Sequence, residues 1–133
     1  MVTPSDSRHL DLGLRAEQHV GQWLSEAGWE LLHHRWHCRW GELDWVAIAP
    51  AIDAQPRSLV FVEVKARSRG NWDADGLLAL NARKQAKLWQ TAELFLAEFP
   101  DLAELPCRFD LVLVRGEGDR LHLLQHLYNV FEQ

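Results

Sequence analysis

At 133 residues, 47% hydrophobic and 25% charged, the sequence suits one globular domain that buries its core without disulfide or metal staples. It excludes a membrane-spanning helix, because no run approaches the ~20 apolar residues such a helix needs. A net charge of −5 argues against a general nucleic-acid coat, and two widely spaced cysteines, Cys38 and Cys107, suit reduced thiols better than a disulfide framework.

The opening M-V-T-P-S-D-S-R-H-L lacks the basic flank and apolar stretch of a secretory signal. The expectation is a single cytoplasmic domain over residues 1–133, with residues 1–10 as a flexible arm. From Leu12 to Ala27, apolar residues at Leu12, Ala16, Val20, Trp23, Leu24 and Ala27 trace a helical stripe that Gly28 stops. Glu17 falls at the edge of that stripe, in line with Gly13 and Gly21, where small residues would let a partner surface approach the carboxylate. W-E-L-L-H-H then reads as a strand, R-W-H-C-R-W-G as a turn, and E-L-D-W-V-A-I-A as a second strand with Glu42, Asp44, Val46 and Ile48 on one face. P-A-I-D-A-Q-P-R is an exposed connection into a third strand, S-L-V-F-V-E-V-K-A-R. Short connections predict an antiparallel meander of these three.

After the loop R-S-R-G-N-W-D-A-D-G, a helix runs from about Asn81 to Phe99, before Pro100. Its expected apolar face collects Ala82, Ala86, Trp89, Ala92, Leu96 and Phe99, with Gln85 among them by angle; a glutamine there must find hydrogen bonds. C-R-F-D-L-V-L-V-R, the turn G-E-G-D and R-L-H-L-L-Q-H-L supply two more strands. The order α-β-β-β-α-β-β predicts an α/β fold.

The third strand carries the chemistry. Alternation puts Val60, Val62 and Val64 on one face and Phe61, Glu63 and Lys65 on the other, with the two charges about 6.6 Å apart along the strand. An ion pair gives weak reason for them, since exposed pairs contribute about 0–1 kcal/mol. Across the meander, Asp44 can join Glu63 on one sheet face. Two carboxylates and an ammonium suit Mg²⁺ or Mn²⁺, with Asp44 and Glu63 as ligands, Glu17 as a third ligand or holder of a water, and Lys65 stabilising developing negative charge. The basic charge is local: residues 57–87 carry 7 Lys/Arg against 3 Asp/Glu, flanked by segments with 4 against 8 and 3 against 8. Arg67, Arg69, Arg83, Lys84 and Lys87 are the candidate phosphate contacts. H-H-R-W-H-C-R-W offers two weaker readings. One is zinc on His33, His34, His37 and Cys38, against which adjacent strand histidines point apart. The other is base stacking on Trp36 and Trp40 beside Arg35 and Arg39, although tryptophans more often serve a core.

G-L-R-A-E-Q-H-V-G-Q-W-L, W-H-C-R-W-G-E-L-D-W-V-A, L-V-F-V-E-V-K-A-R and N-A-R-K-Q-A-K-L resemble, in order and spacing, the YraN-like family of small bacterial proteins over roughly residues 12–115. That family resembles the restriction-endonuclease-like PD-(D/E)xK superfamily and is similar to archaeal Holliday-junction resolvases. The resemblance implies a restriction-endonuclease-like core, a mixed sheet of about five strands flanked by helices. It also implies active-site positions at Glu17, Asp44, Glu63 and Lys65, with Gln85 on the following helix. The implied activity is Mg²⁺-dependent hydrolysis of DNA phosphodiesters, on branched or single-stranded structures, by a chain that can pair as a homodimer. The alternative is an inactive module that kept the nuclease scaffold to bind nucleic acid or a protein.

Overall fold

The structure, a computed structural model, describes residues 4–68 and 81–131, the side chains of residues 4–11 excepted. Strand β3 (Ser58–Arg67) is buried without a break from Ser58 to Glu63, as expected of a strand covered on both faces. It occupies the middle of a five-stranded sheet in the order β1 (Glu30–Cys38), β2 (Gly41–Ala49), β3, β4 (Cys107–Glu117), β5 (Arg120–Leu127). The first three strands form the expected antiparallel meander. β4 then pairs parallel to β3, and β5 returns antiparallel to β4. A parallel neighbour needs a crossover, and helix α2 (Ala82–Glu98) lies on it, followed by a short 3-10 turn at Pro100–Glu104. With helix α1 (Pro4–Glu26) ahead of β1, the order is the α-β-β-β-α-β-β of an α/β fold.

The pleat divides the core in two. Val60, Val62, Val112 and Val114 pack with Ala16, Val20 and Leu24 of α1. Leu59, Phe61, Phe109 and Leu111 pack with Ala92 and Phe95 of α2. Helix α1 ends as its sequence requires: Gly28 takes a left-handed φ of +92°, which a glycine adopts without steric cost, and Trp29 N donates to Leu24 O at 3.0 Å. The helix starts at Pro4 rather than at Leu12, so its span takes in residues 4–10 of the expected arm. Proline in a first turn forfeits no helical hydrogen bond.

Helix α2 is capped by Asn81, whose side chain accepts from Lys84 N at 3.0 Å. Its inner face keeps Ala92, with Trp89, Leu96 and Phe99 packed against the core as expected, but is turned in part toward Phe95 and Leu88. Thr91, Ala92 and Phe95 are buried, whereas Ala82 and Ala86 are exposed. A methyl group gains little by burial, and the helix is oriented by the larger ring of Phe95, which meets Phe61, Trp36 and Phe99 at centroid distances of 5.9, 5.3 and 4.7 Å. No described helix is long and apolar enough to cross a membrane. Cys38 and Cys107 are both free thiols.

Candidate metal centre

The β2–β3 ladder runs from Ala49↔Ser58 to Trp45↔Val62 and stops there. Asp44 is the next residue of β2, and its side chain continues the pairing in place of the backbone: Oδ2 accepts from Val64 N at 2.9 Å. A short acid does this well, because a strand amide that loses its ladder partner must still be satisfied. Glu63, one step earlier on β3, is 7% exposed, and its Oε1 is buried with no hydrogen-bond partner. Lys65 is half-buried two residues on, on the side of the sheet that Phe61 occupies.

Burial pushes the Asp44 carboxyl up to about 6, against the Val64 amide that lowers it; the charges of Glu17 and Glu42 add to the rise and Lys65 opposes it. Glu63 is held well above the ordinary carboxylate range, first by burial and then by the charge of Asp44, with Lys65 again opposing. Two enclosed carboxyls held above their ordinary range, one of them by the charge of the other and with an orphaned oxygen, are short of positive charge. A divalent cation would supply it. Mg²⁺ is commonly held by one or two carboxylates together with water and phosphate oxygens, so the donor set of Asp44 and Glu63 fits such an ion. Among the described residues, no group of three His, Cys, Asp or Glu side chains gathers as metal ligands.

Glu17 comes from the helix on the other face of the sheet and has other partners. Its Oε1 accepts from Arg35 Nε at 2.9 Å and from His34 Nε2 at 2.8 Å, and its Oε2 from Arg35 Nη2 at 3.2 Å. It acts on Asp44 as a nearby negative charge. Gln85 is half-buried in the first turn of α2. Arg83, Lys84 and Lys87 are exposed on the first half of that helix, and Arg67 is exposed at the end of β3. Arg69 lies outside the described residues.

The histidines separate. His33 packs edge-on against Phe95, His34 stacks on Trp45 with centroids 4.3 Å apart, and His37 turns to the Arg35 carbonyl. Of the two candidate stacking rings, Trp36 packs on Phe95 and Trp40 is 44% exposed with the Arg39 guanidinium 5.0 Å from its ring. Sequence reasoning missed two residues. One is Arg35 as the partner of Glu17, which no spacing announces. The other is Asp110 on β4, whose signal was present in R-F-D: an acid inside an apolar strand with a base two residues away, the mirror image of E-V-K. Asp110 is fully buried and accepts from Arg108 Nε at 2.9 Å, Arg108 Nη2 at 3.3 Å, His126 Nε2 at 2.9 Å and Asn129 N at 2.9 Å.

A model of the family described as "Uncharacterised protein family UPF0102" matches residues 16–114. Among relatives of that name, the protein of Trichodesmium erythraeum (strain IMS101) is 52% identical over 115 residues, which cover 82% of this chain and 64% of that protein. The protein of Acaryochloris marina (strain MBIC 11017) is 53% identical over 113 residues, 82% of this chain and 65% of that protein. A relative in Synechococcus sp. (strain JA-3-3Ab) is 45% identical over 133 residues, 97% of each chain. The chain thus spans just under two thirds of the length of the first two and nearly all of the third.

Proposed function

This chain belongs to the UPF0102 family, and we propose that it binds a divalent cation at Asp44 and Glu63 and hydrolyses phosphodiesters of DNA there. The observation that carries this reading is the contrast between its two strand acids. Asp110 has every oxygen satisfied, and its carboxyl lies below the ordinary range, because hydrogen bonds from His126, Arg108 and Asn129 outweigh the burial that raises it. Glu63, equally enclosed, keeps a bare oxygen and a raised carboxyl. An unsatisfied buried carboxylate costs several kcal/mol by transfer arguments, so structure alone gives no reason to keep it.

When bound, Mg²⁺ or Mn²⁺ would supply Lewis-acid neutralisation of charge on the phosphodiester. Asp44, fixed by the Val64 amide, and Glu63, fixed by its enclosure in the sheet, hold the ion. Lys65, on the same strand face as Glu63, places an ammonium where negative charge grows. Gln85 stands on the helix that follows, and the exposed Arg67, Arg83, Lys84 and Lys87 meet flanking phosphates. The E-V-K of β3, preceded by an aspartate one strand earlier in a mixed five-stranded sheet, agrees with the restriction-endonuclease-like arrangement that the sequence resembles.

Calorimetric titration of Mn²⁺ tests the ion. Wild type should take it up, and Asp44→Asn and Glu63→Gln should each abolish uptake with unchanged circular dichroism. A panel of linear, nicked, flapped and four-way DNA in Mn²⁺ tests the reaction, with cleavage lost in Lys65→Ala. No uptake at millimolar Mn²⁺ with DNA present would overturn the metal reading. Uptake and DNA retention without cleavage would leave a binding module on the nuclease scaffold.

A further inference from the structure

Arg35 has a backbone that its strand does not call for. Its φ is +56°, in the left-handed region, inside a strand whose pairing continues on either side of it through His34↔Trp45 and Trp36↔Leu43. It therefore stands opposite Asp44. A non-glycine residue held there costs about 1–3 kcal/mol and persists only where its surroundings fix it.

The surroundings are specific. The guanidinium forks the Glu17 carboxylate through Nε and Nη2, and His34 donates to the same carboxylate. The Glu17 carbonyl accepts from Trp45 Nε1 at 2.7 Å, and the Trp45 indole is stacked under His34 and seated against Gly21. The Glu17 side chain is 10% exposed, and that of Arg35 is 44% exposed. An ion pair open to solvent on one side contributes about 0–1 kcal/mol, too little to offset the backbone strain together with the desolvation of Glu17. The frame makes sense as a means of holding a guanidinium in one place. The fork leaves Nη1 out, and two further acids stand near the guanidinium: Glu42 Oε1 lies 4.0 Å from Nε, and Asp44 is across the strand. The hydrogen bonds that Arg35 donates to Glu17 hold the guanidinium above its ordinary range; burial opposes them, and the charges of Glu17, Glu42 and Asp44 add to the rise.

We propose that Arg35 binds the non-bridging oxygens of a DNA phosphate beside the Asp44–Glu63 pair, and that Glu17 is the positioning residue of Arg35 rather than a metal ligand. This rests on the reading of that pair as the metal site. Arginine suits the task because its planar fork can hold a carboxylate on one edge and present donors on another, which an ammonium cannot do in fixed geometry.

Anisotropy of fluorescein-labelled duplex and four-way DNA in metal-free buffer, across a salt series, reads the contact without any reaction. Calorimetry of Mn²⁺ on the same variants reads the metal site. Arg35→Ala and Glu17→Gln should each weaken DNA binding about tenfold, and Arg35→Ala should reduce the slope of log affinity against log salt by about one. Mn²⁺ affinity should stay within about twofold of wild type in both. Arg35→Lys should recover the salt slope but only part of the affinity, and Arg35→Ala/Glu17→Gln together should be no weaker than Arg35→Ala alone. Unchanged DNA affinity in Arg35→Ala overturns the proposal, as does loss of Mn²⁺ uptake in Glu17→Gln as complete as in Asp44→Asn. If Asp44→Asn itself leaves Mn²⁺ uptake intact, the metal reading fails, and the DNA measurements still decide Arg35.

Discussion

Asp44 and Asp110 sit in apolar strands of one sheet, yet their carboxyls move in opposite directions. The Asp44 carboxyl rises from 3.8 to about 6 on folding, so between those values the native state holds a proton that the unfolded chain has lost, and stability falls as pH rises through that window. Asparagine keeps an oxygen for the Val64 amide and carries no charge. Asp44→Asn should match wild type near pH 4 and exceed it by about 1–3 kcal/mol above pH 7 in urea unfolding. Millimolar Mn²⁺ should then stabilise wild type and leave the variant unmoved. Asp110 has the reverse sign. Its folded carboxyl lies below 3.8, so its contribution is in place above the unfolded value and is lost as pH falls through the folded one. Asp110→Ala strands the Arg108 guanidinium and the buried His126 ring and should cost about 3–5 kcal/mol at neutral pH by the same unfolding measurement. Conserving the oxygen in Asp110→Asn should cost less.

At the scale of elements, the strands were legible and the helix faces less so. β1 to β3 follow from alternation and short connections, and β4 and β5 from an apolar run and a glycine turn; local pattern and final position agree there, except that residues 35–38, read as turn, extend β1 and leave only Arg39 and Trp40 between it and β2. The inner face of α2 was legible in Trp89, Ala92, Leu96 and Phe99 and misread at Ala82 and Ala86, because only the sheet beneath decides that Phe95 and Leu88 gain by burial instead. The pair Asp44–Glu63 was legible because both lie on strands whose pleat fixes direction. Glu17 was legible as a residue and not as a partner: its direction depends on how α1 lies on the sheet, and Arg35, which receives it, owes its place to a left-handed residue that sequence does not announce. The glycines of α1 show how fully tertiary contact overrides local rule. Gly13 and Gly21 look alike in sequence. A methyl at Gly13 meets nothing within 4 Å, whereas one at Gly21 would lie 2.5 Å from Trp45 Cζ2, in a ring that His34 covers. Gly13→Ala should raise stability by about 0.5–1 kcal/mol through helix propensity. Gly21→Ala should lower it by about 1–3 kcal/mol, because the indole must shift and its bond to the Glu17 carbonyl with it. Thermal unfolding of the two variants side by side separates them.

At the scale of the whole molecule, an excess of five negative charges must be reconciled with the polyanionic substrate we propose. The exposed Arg83, Lys84, Lys87 and Arg67 reconcile it only in part, because Asp44 and Glu63 form the proposed site itself and the charge of Glu42 acts on Asp44 as well. In metal-free protein these acids would repel DNA, and a divalent ion at the pair would turn local repulsion into attraction. Ion and DNA should therefore bind with positive coupling, and the coupling must be equal in both directions. DNA should raise Mn²⁺ affinity by the same factor, about tenfold, as Mn²⁺ raises DNA affinity at constant ionic strength. Calorimetry and anisotropy on Lys65→Ala protein, in which the DNA stays whole, measure the two arms separately. Asp44→Asn should bind DNA more tightly than wild type without metal, since a repelling charge is gone, and should show no response to Mn²⁺. Equal DNA affinity with and without Mn²⁺ in protein that demonstrably takes up the ion would place the ion away from the phosphate, and the metal and the nucleic acid would then belong to separate parts of the surface.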